Sequence, residues 1–202
     1  MKLSDKVLNV ACNYWCKTIK GGKDHDNGDK SMTGIFASLL ANSATNTISD
    51  DKLNIFKEEL KKLIPEYWEE YGYESRDYLY LYCDYGPSYV LNKAAEKANI
   101  NTLNFPWKTG IFIYTNAVVE IRPYSRPENE TDSIIYCEKG YIVDKINSTE
   151  KYIEELKVRE PEKWETEDDI KEIMEWQKAL LEYYKDFLNK MGDEYTKAGY
   201  ES

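Results

Sequence analysis

The spacing of apolar residues changes twice along the chain, and this limits the possible folds more than any other feature of the sequence. Residues 4–20 and 49–64 carry apolar side chains at intervals of three and four, the period of an amphipathic helix. Residues 77–83, DYLYLYC, alternate with the period of two expected of a strand. Helical spacing returns after residue 148. The chain is therefore predicted to begin helical, continue as strands and end helical.

Capping and breaking residues set the limits of the N-terminal helices. Ser4 and Ser49 stand where an N-cap is expected, and two glycines follow residue 20. Pro65 is predicted to end the helix that begins at Ser49. A short apolar segment, residues 32–44, predicts a further helix between them.

The middle of the chain contains apolar, β-branched runs that predict further strands. Ile111–Tyr114 and Ala117–Ile121 flank Thr115-Asn116, which predicts a hairpin. SIIYC and GYIVDKI, on either side of Glu138–Gly140, predict a second hairpin. We expect an α+β fold in which N-terminal helices pack on a mainly antiparallel sheet of four to five strands, followed by C-terminal helices. Residues 1–147 would form this domain, and 148–202 an acidic helical extension packed on it.

The C-terminal region is predicted to contain a long helix that begins after Thr166, a suitable N-cap. Its apolar residues approximate one stripe, so the helix must pack on the domain, on itself or on a partner. The stripe consists of Ile170, Ile173, Met174, Leu180, Leu181, Tyr184 and Leu188. Self-pairing would give a homodimer. The last residues, 192–202, are expected to fray.

Negative charge is concentrated near the C-terminus. The formal net charge is −10, and residues 150–202 contain 16 acidic and 9 basic residues. This argues against direct nucleic-acid binding, which basic side chains drive. Carboxylates on an exposed helix can instead imitate phosphates and compete for a basic cleft, although such a row can also be a solvated face. The predicted partner-binding residues are Glu165, Asp168, Asp169, Glu172, Glu175 and Trp176.

The loop KDHDNGDKSM, residues 23–32, holds the single histidine and three aspartates. Placing Gly28 at position 6 of a calcium loop puts Lys23 and Gly34 where ligands are needed, and zinc would lack a second histidine. Cys12 and Cys16 lie inside a predicted helix, where buried, reduced thiols are expected. We therefore expect no metal, no cofactor and no catalytic residue, although an enzyme is not excluded.

The alternative prediction is a pocket for a small molecule or nucleotide. The turn DYGPS, residues 84–88, would present amides at a helix N-terminus, although Asp84 or Ser88 could simply cap that helix. If the DNGD loop faced this turn, the two would form one pocket. The candidate ligand-binding residues are Asp26, Asn27, Asp29, Asp84, Tyr85, Ser88 and Lys108.

The chain has no apolar run of membrane-spanning length, and MKLSDKVLNV lacks the features of a signal peptide. We expect no membrane association and a cytoplasmic location in a bacterial host.

Three short motifs carry a resemblance to known proteins: DNGD (26–29), DYGP (84–87) and FPWKT (105–109), with the helix ISDDKLNIFKEEL among them. In residues 1–125 the chain resembles accessory proteins of phages and mobile elements of low-GC bacteria, some of which look like anti-CRISPR or other anti-defence inhibitors. The resemblance implies a protein that binds and inhibits a bacterial defence nuclease, here by covering a basic nucleic-acid-binding surface.

Overall fold

The computed structural model describes residues 3–21, 48–71, 78–84, 86–106, 108–121, 133–162 and 165–200. These ranges contain helices α1 (Asp5–Gly21), α2 (Asp50–Tyr71), α3 (Tyr89–Ala98), α4 (Lys139–Val158) and α5 (Glu167–Lys190). The strands are β1 (Tyr78–Cys83), β2 (Thr109–Tyr114), β3 (Ala117–Ile121), β4 (Ser133–Glu138) and β5 (Glu194–Thr196). They form one antiparallel sheet in the order β1-β2-β3-β4-β5. The predicted α+β class is confirmed.

The first three strands pair antiparallel, and β1 shows the predicted alternation of buried residues. In β1, Leu79 and Leu81 pair with Ile113 and Ile111 of β2, and all four side chains are buried. The hairpin about Thr115-Asn116 is confirmed by the antiparallel pairing of β2 with β3. Alternation in β1 places its tyrosines on the opposite face from its leucines.

The absence of a side chain at Gly110 leaves room for the ring of Tyr80. A Cβ atom at Gly110 would lie 2.7 Å from Cε2 of Tyr80, so any larger residue would displace the ring. The Tyr80 ring stacks on Tyr82, with centroids 4.9 Å apart, and lies 4.8 Å from Phe112. The outer face of β1 and β2 is therefore aromatic.

Contacts divide the chain into two compact units, Met1–Tyr136 with Thr196–Ser202, and Cys137–Tyr195. The core of the first unit contains an aromatic cluster in which Trp15 of α1 and Phe56 of α2 lie 6.2 and 5.9 Å from Phe105, by ring centroids. All three rings are fully buried. Burial of rings of this size is a large contribution to stability.

The second unit is built on α4 and α5. The buried residues of α4 recur at helical intervals, whereas α5 buries one residue, Ile170. An ion pair of 3.0 Å links Lys185 of α5 to Glu150 of α4. The buried residues of α4 are Tyr141, Ile142, Thr149, Ile153 and Leu156.

The predicted end of α2 at Pro65 is wrong. Pro65 lies inside α2, which runs on to Tyr71. Trp68, 4 % exposed, continues the buried face of α2 beyond the proline, so its packing outweighs the hydrogen bond that Pro65 cannot make.

GYIVDKI is helical rather than a strand, because α4 begins at Lys139 immediately after β4. The apolar run Tyr141–Val143 fits either structure by itself, but burial at Ile142, Thr149 and Ile153 has the helical period. The C-terminal residues expected to fray include β5, and the amide of Lys197 donates to the carbonyl of Ile135 at 2.8 Å.

The helix predicted over residues 32–44 lies outside the described residues. Among the described helices, none combines the length and apolar character needed to cross a membrane.

Candidate binding surfaces

The first turn of α5 is held by two groups of polar contacts. Oγ1 of Thr166 accepts a hydrogen bond from the amide of Asp169 at 3.2 Å, and the Asp169 carboxylate accepts one from the amide of Thr166 at 2.7 Å. This reciprocal pair is a capping box, and it confirms Thr166 as the cap. Arg159 donates to both carboxylate oxygens of Glu165, at 2.7 and 2.8 Å.

Two of the predicted partner-binding carboxylates, those of Glu165 and Asp169, thus form hydrogen bonds within the protein. The side chain of Glu165 is 8 % exposed, and the amide of Glu162 and the Arg159 guanidinium lower its pKa. The hydrogen bonds from Thr166 lower the pKa of Asp169. Glu165 and Asp169 therefore stabilise the start of α5.

The other predicted carboxylates form an exposed row along α5. Asp168, Glu172 and Glu175 are four and three residues apart, which places them on one face of the helix, and all are exposed. Lys171 lies 3.0 Å from Asp168, and Lys178 lies 2.6 Å from Glu175. Exposed ion pairs of this kind contribute roughly 0–1 kcal/mol, so a basic partner could replace both lysines.

We call the row formed by Asp168, Glu172 and Glu175 the acidic ridge. Trp176 stands beside it. It is 48 % exposed, among the largest exposed fractions of any apolar side chain in the described residues. A large aromatic ring beside carboxylates is a suitable anchor for a protein partner. The structure thus brings four of the six predicted residues to one solvent-facing surface.

Two polar atoms in the turn between β1 and α3 have no hydrogen-bond partner among the described residues. They are Oδ1 of Asp84 and Oγ of Ser88, and both are shielded from solvent. Ser88 is the N-cap residue of α3, yet its side chain makes no capping bond. The amide of Lys108, whose φ is 55°, donates to the carbonyl oxygen of Asp84 at 3.4 Å. Three of the candidate ligand-binding residues therefore adjoin one another.

The four other candidates for that pocket lie outside the described residues: Asp26, Asn27, Asp29 and Tyr85. The expectation that the DNGD loop faces the β1–α3 turn stays a prediction.

Sequence reasoning missed a polar cluster between α1 and the sheet. The hydroxyl of Tyr14 donates to Oε1 of Glu120 at 2.9 Å, and Nζ of Lys197 lies 4.0 Å from Oε2. Burial and the nearby carboxylate raise the pKa of Tyr14. A signal was present, because the period of two in β3 places Glu120 on the same side as the buried Val118.

The residues after β5 complete this cluster. The ring of Tyr200 stacks on Tyr14, with centroids 5.8 Å apart, and Nζ of Lys17 lies 4.2 Å from the Tyr200 ring centroid. Stacking and cation–π contacts of this kind each contribute roughly 0.5–1.5 kcal/mol. The arrangement joins the C-terminal segment to α1.

The cysteines have the environment of inert thiols. Burial raises the pKa of Cys12 to about 12 and that of Cys16 to about 11, so both are protonated at neutral pH. A nucleophilic cysteine requires the opposite shift. Over the described ranges, no group of three or more His, Cys, Asp or Glu side chains is arranged to hold a metal ion.

No family model, curated protein or solved structure matches the chain. The resemblance to phage and mobile-element proteins stays a prediction, and the side chains described above carry the functional argument.

Proposed function

We propose that the protein is a non-catalytic inhibitor that uses the acidic ridge of α5 to occupy a basic, nucleic-acid-binding surface of a bacterial defence nuclease. The observation that carries this proposal is the row of three exposed carboxylates beside the half-exposed Trp176. The strongly negative net charge would speed its encounter with a basic cleft.

The dimensions of the acidic ridge suit phosphate imitation. Asp168 and Glu175 are seven residues apart, or about 10 Å along the helix axis. One strand of DNA carries about three phosphates over the same distance. The ridge offers three carboxylates in that length, and Glu172 has no ion-pair partner in the described chain.

The capped start of α5 supports this role. The capping box at Thr166 and the contact between Arg159 and Glu165 fix the first turn of the helix, so its carboxylates are presented in a set geometry. A preorganised row loses less conformational entropy on binding than the same residues in a loop.

A transformation assay tests this function. Bacterial strains that each carry one active CRISPR or restriction nuclease would express the protein and receive a targeted plasmid. In at least one strain, the wild type should restore transformation to the level of a nuclease-deficient strain. Changing Asp168, Glu172 and Glu175 to lysine should abolish the effect.

The matched control carries the same change of charge elsewhere. Glu66, Glu69 and Glu70 of α2 are exposed, and their substitution by lysine should leave inhibition intact. Equal loss of inhibition in both variants would show that net charge alone accounts for the inhibition. Full inhibition by the α5 variant would contradict the proposal.

A second candidate function, binding of a small ligand at the β1–α3 turn, is favoured by the unpartnered Oδ1 of Asp84 and Oγ of Ser88. A shielded polar atom without a hydrogen bond costs roughly 1–3 kcal/mol, and a bound ligand or ordered water would remove that cost.

NMR titration with adenosine, ATP and Mg²⁺–ATP tests this candidate. Binding should shift the amide signals of residues 86, 88 and 108, and the Asp84→Asn variant should lose the shift. If none of these probes moved the signals in the wild type, the nucleotide version of this candidate would be wrong.

A further inference from the structure

Residues 197–200, which we call the strap, form a turn that packs on helix α1. The amide of Tyr200 donates to the carbonyl oxygen of Lys197 at 3.1 Å, and Gly199 has a φ of 88°. A positive φ at the third residue is typical of a type II turn and favours glycine there. The strap belongs to the same compact unit as α1 and β3.

The turn places one aromatic ring between a second ring and a cation. The ring of Tyr200 stacks on that of Tyr14, which is buried, and Nζ of Lys17 lies 4.2 Å from the centre of the Tyr200 ring. A Cβ atom at Gly199 would lie 2.6 Å from the same Nζ atom. The backbone of the strap therefore lies directly against the Lys17 side chain.

Glu120, which contacts both Tyr14 and the strap, departs from the pattern of its strand. It pairs with Ile111 across β2 and β3, on the side of the sheet that carries the buried Ile111 and Val118. Its side chain is 15 % exposed. A carboxylate in such a place is costly unless a donor or a cation meets it. Departures of this kind are expected at functional sites.

Two groups meet the Glu120 carboxylate, and the strap supplies one of them. The hydroxyl of Tyr14 donates to Oε1 at 2.9 Å. Nζ of Lys197 lies 4.0 Å from Oε2, which is an ion pair longer than a hydrogen bond. The carboxylate thus attracts the cation of the strap without binding it tightly.

The strap is held by contacts that each contribute little. They are the stack on Tyr14, the cation–π contact with Lys17 and the ion pair between Lys197 and Glu120. A backbone hydrogen bond of 2.8 Å, from the amide of Lys197 to the carbonyl oxygen of Ile135, joins the strap to the sheet. Segments with few buried contacts open without unfolding of the surrounding domain.

We propose that the strap is displaceable and that the surface beneath it binds a segment of a protein partner that presents a basic side chain and an aromatic ring across a turn. The carboxylate of Glu120 selects the basic side chain, and the flat ring of Tyr14 selects the aromatic one. The partner segment has to displace the strap, so the closed strap lowers the affinity for it. The acidic ridge takes no part in this proposal, so either proposal can fail while the other stands.

Two variants with valine at neighbouring positions of the turn isolate the strap. Gly199→Val should open it, because valine is strained at a φ of 88° and its side chain would meet Nζ of Lys17. Ala198→Val, at an exposed position, is the matched control and should leave it closed. In amide exchange followed by NMR, Lys197 should lose protection in Gly199→Val alone, while the amides of β2 keep theirs.

NMR titration with a synthetic peptide of the strap sequence TKAGY, blocked at both ends, tests the surface beneath. The dissociation constant should be at least tenfold lower for Gly199→Val than for the wild type and Ala198→Val, with shifts at residues 14, 17 and 120. Peptides with Glu in place of Lys, or Ala in place of Tyr, should bind Gly199→Val at least tenfold more weakly. Adding Glu120→Gln should weaken binding of TKAGY, because it removes the charge but keeps an acceptor for Tyr14.

Three results would overturn the proposal. Unchanged protection of Lys197 in Gly199→Val would show that the strap is not displaceable. Equal binding of the peptide to the wild type and Gly199→Val, or no binding to a Gly199→Val chain that keeps the wild-type circular dichroism, would show that the strap covers no docking site. Equal binding of all three peptides would show that the surface does not select a basic and an aromatic side chain.

Discussion

Helices α2 and α5 are alike in length and amphipathic pattern but differ in how deeply their apolar faces are buried. The apolar face of α2 is almost fully buried in the first unit, through Leu53, Phe56, Leu60, Ile64 and Trp68. On α5 only Ile170 is fully buried, and the other apolar side chains of its stripe keep an intermediate exposure. An amphipathic pattern therefore indicates which face of a helix packs, but it does not set how deeply that face is buried.

The largest expected effect compares the same truncation in the two helices. Leu60→Ala should lower the free energy of unfolding by about 2–5 kcal/mol, because Leu60 is fully buried and its removal leaves a cavity. Leu180→Ala, at a partly exposed position, should cost about 1 kcal/mol. Urea denaturation at low protein concentration measures both. Equal losses would remove the distinction between the helices.

The second prediction concerns alkaline pH and the core of the first unit. The pKa of Cys12 is about 12 in the folded chain and 9.0 ordinarily. The fold thus favours the protonated thiol, so this stabilisation is complete below pH 9 and is lost as pH rises towards 12. Between pH 8 and pH 10 this thiol should cost roughly 1 kcal/mol of stability.

Cys12→Ala isolates this effect. In urea denaturation at both pH values, the wild type should lose roughly 1 kcal/mol more than the variant. Identical losses would show that the thiol is not held protonated by burial. Because no cysteine lies in α5, local opening of this helix, measured by amide hydrogen exchange, should not show this additional dependence on pH.

The smallest effect compares two helix starts. Thr166→Ala removes a side chain that caps α5 and should cost about 1 kcal/mol, visible as faster amide hydrogen exchange in its first turn. Ser88→Ala should not lower the stability, because the Ser88 hydroxyl makes no capping bond and is shielded without a partner among the described residues. A loss of stability in this variant would indicate that the hydroxyl is hydrogen-bonded in solution.

Local patterns predicted much of the fold. The alternation of β1, the hairpin about Thr115-Asn116 and the cap at Thr166 each depend on neighbouring residues, and the structure confirms them. The errors arose where tertiary contacts determine the local structure. Burial of Trp68 stabilises the part of α2 that follows Pro65, and burial of Ile153 stabilises the helix that begins with GYIVDKI.

The candidate sites were less predictable for the same reason. The sequence shows a row of acids after Glu165, but the contacts with Arg159 and Thr166 are what separate structural carboxylates from exposed ones. The cluster at Glu120 likewise depends on Tyr14 and Lys197, which are distant along the chain.

Amide hydrogen exchange of the full chain, measured by mass spectrometry, tests the contrast between α2 and α5 most directly. Peptides from α5 should exchange faster than those from α2, because only one residue of α5 is fully buried. Protection of α5 equal to that of α2 would contradict the account.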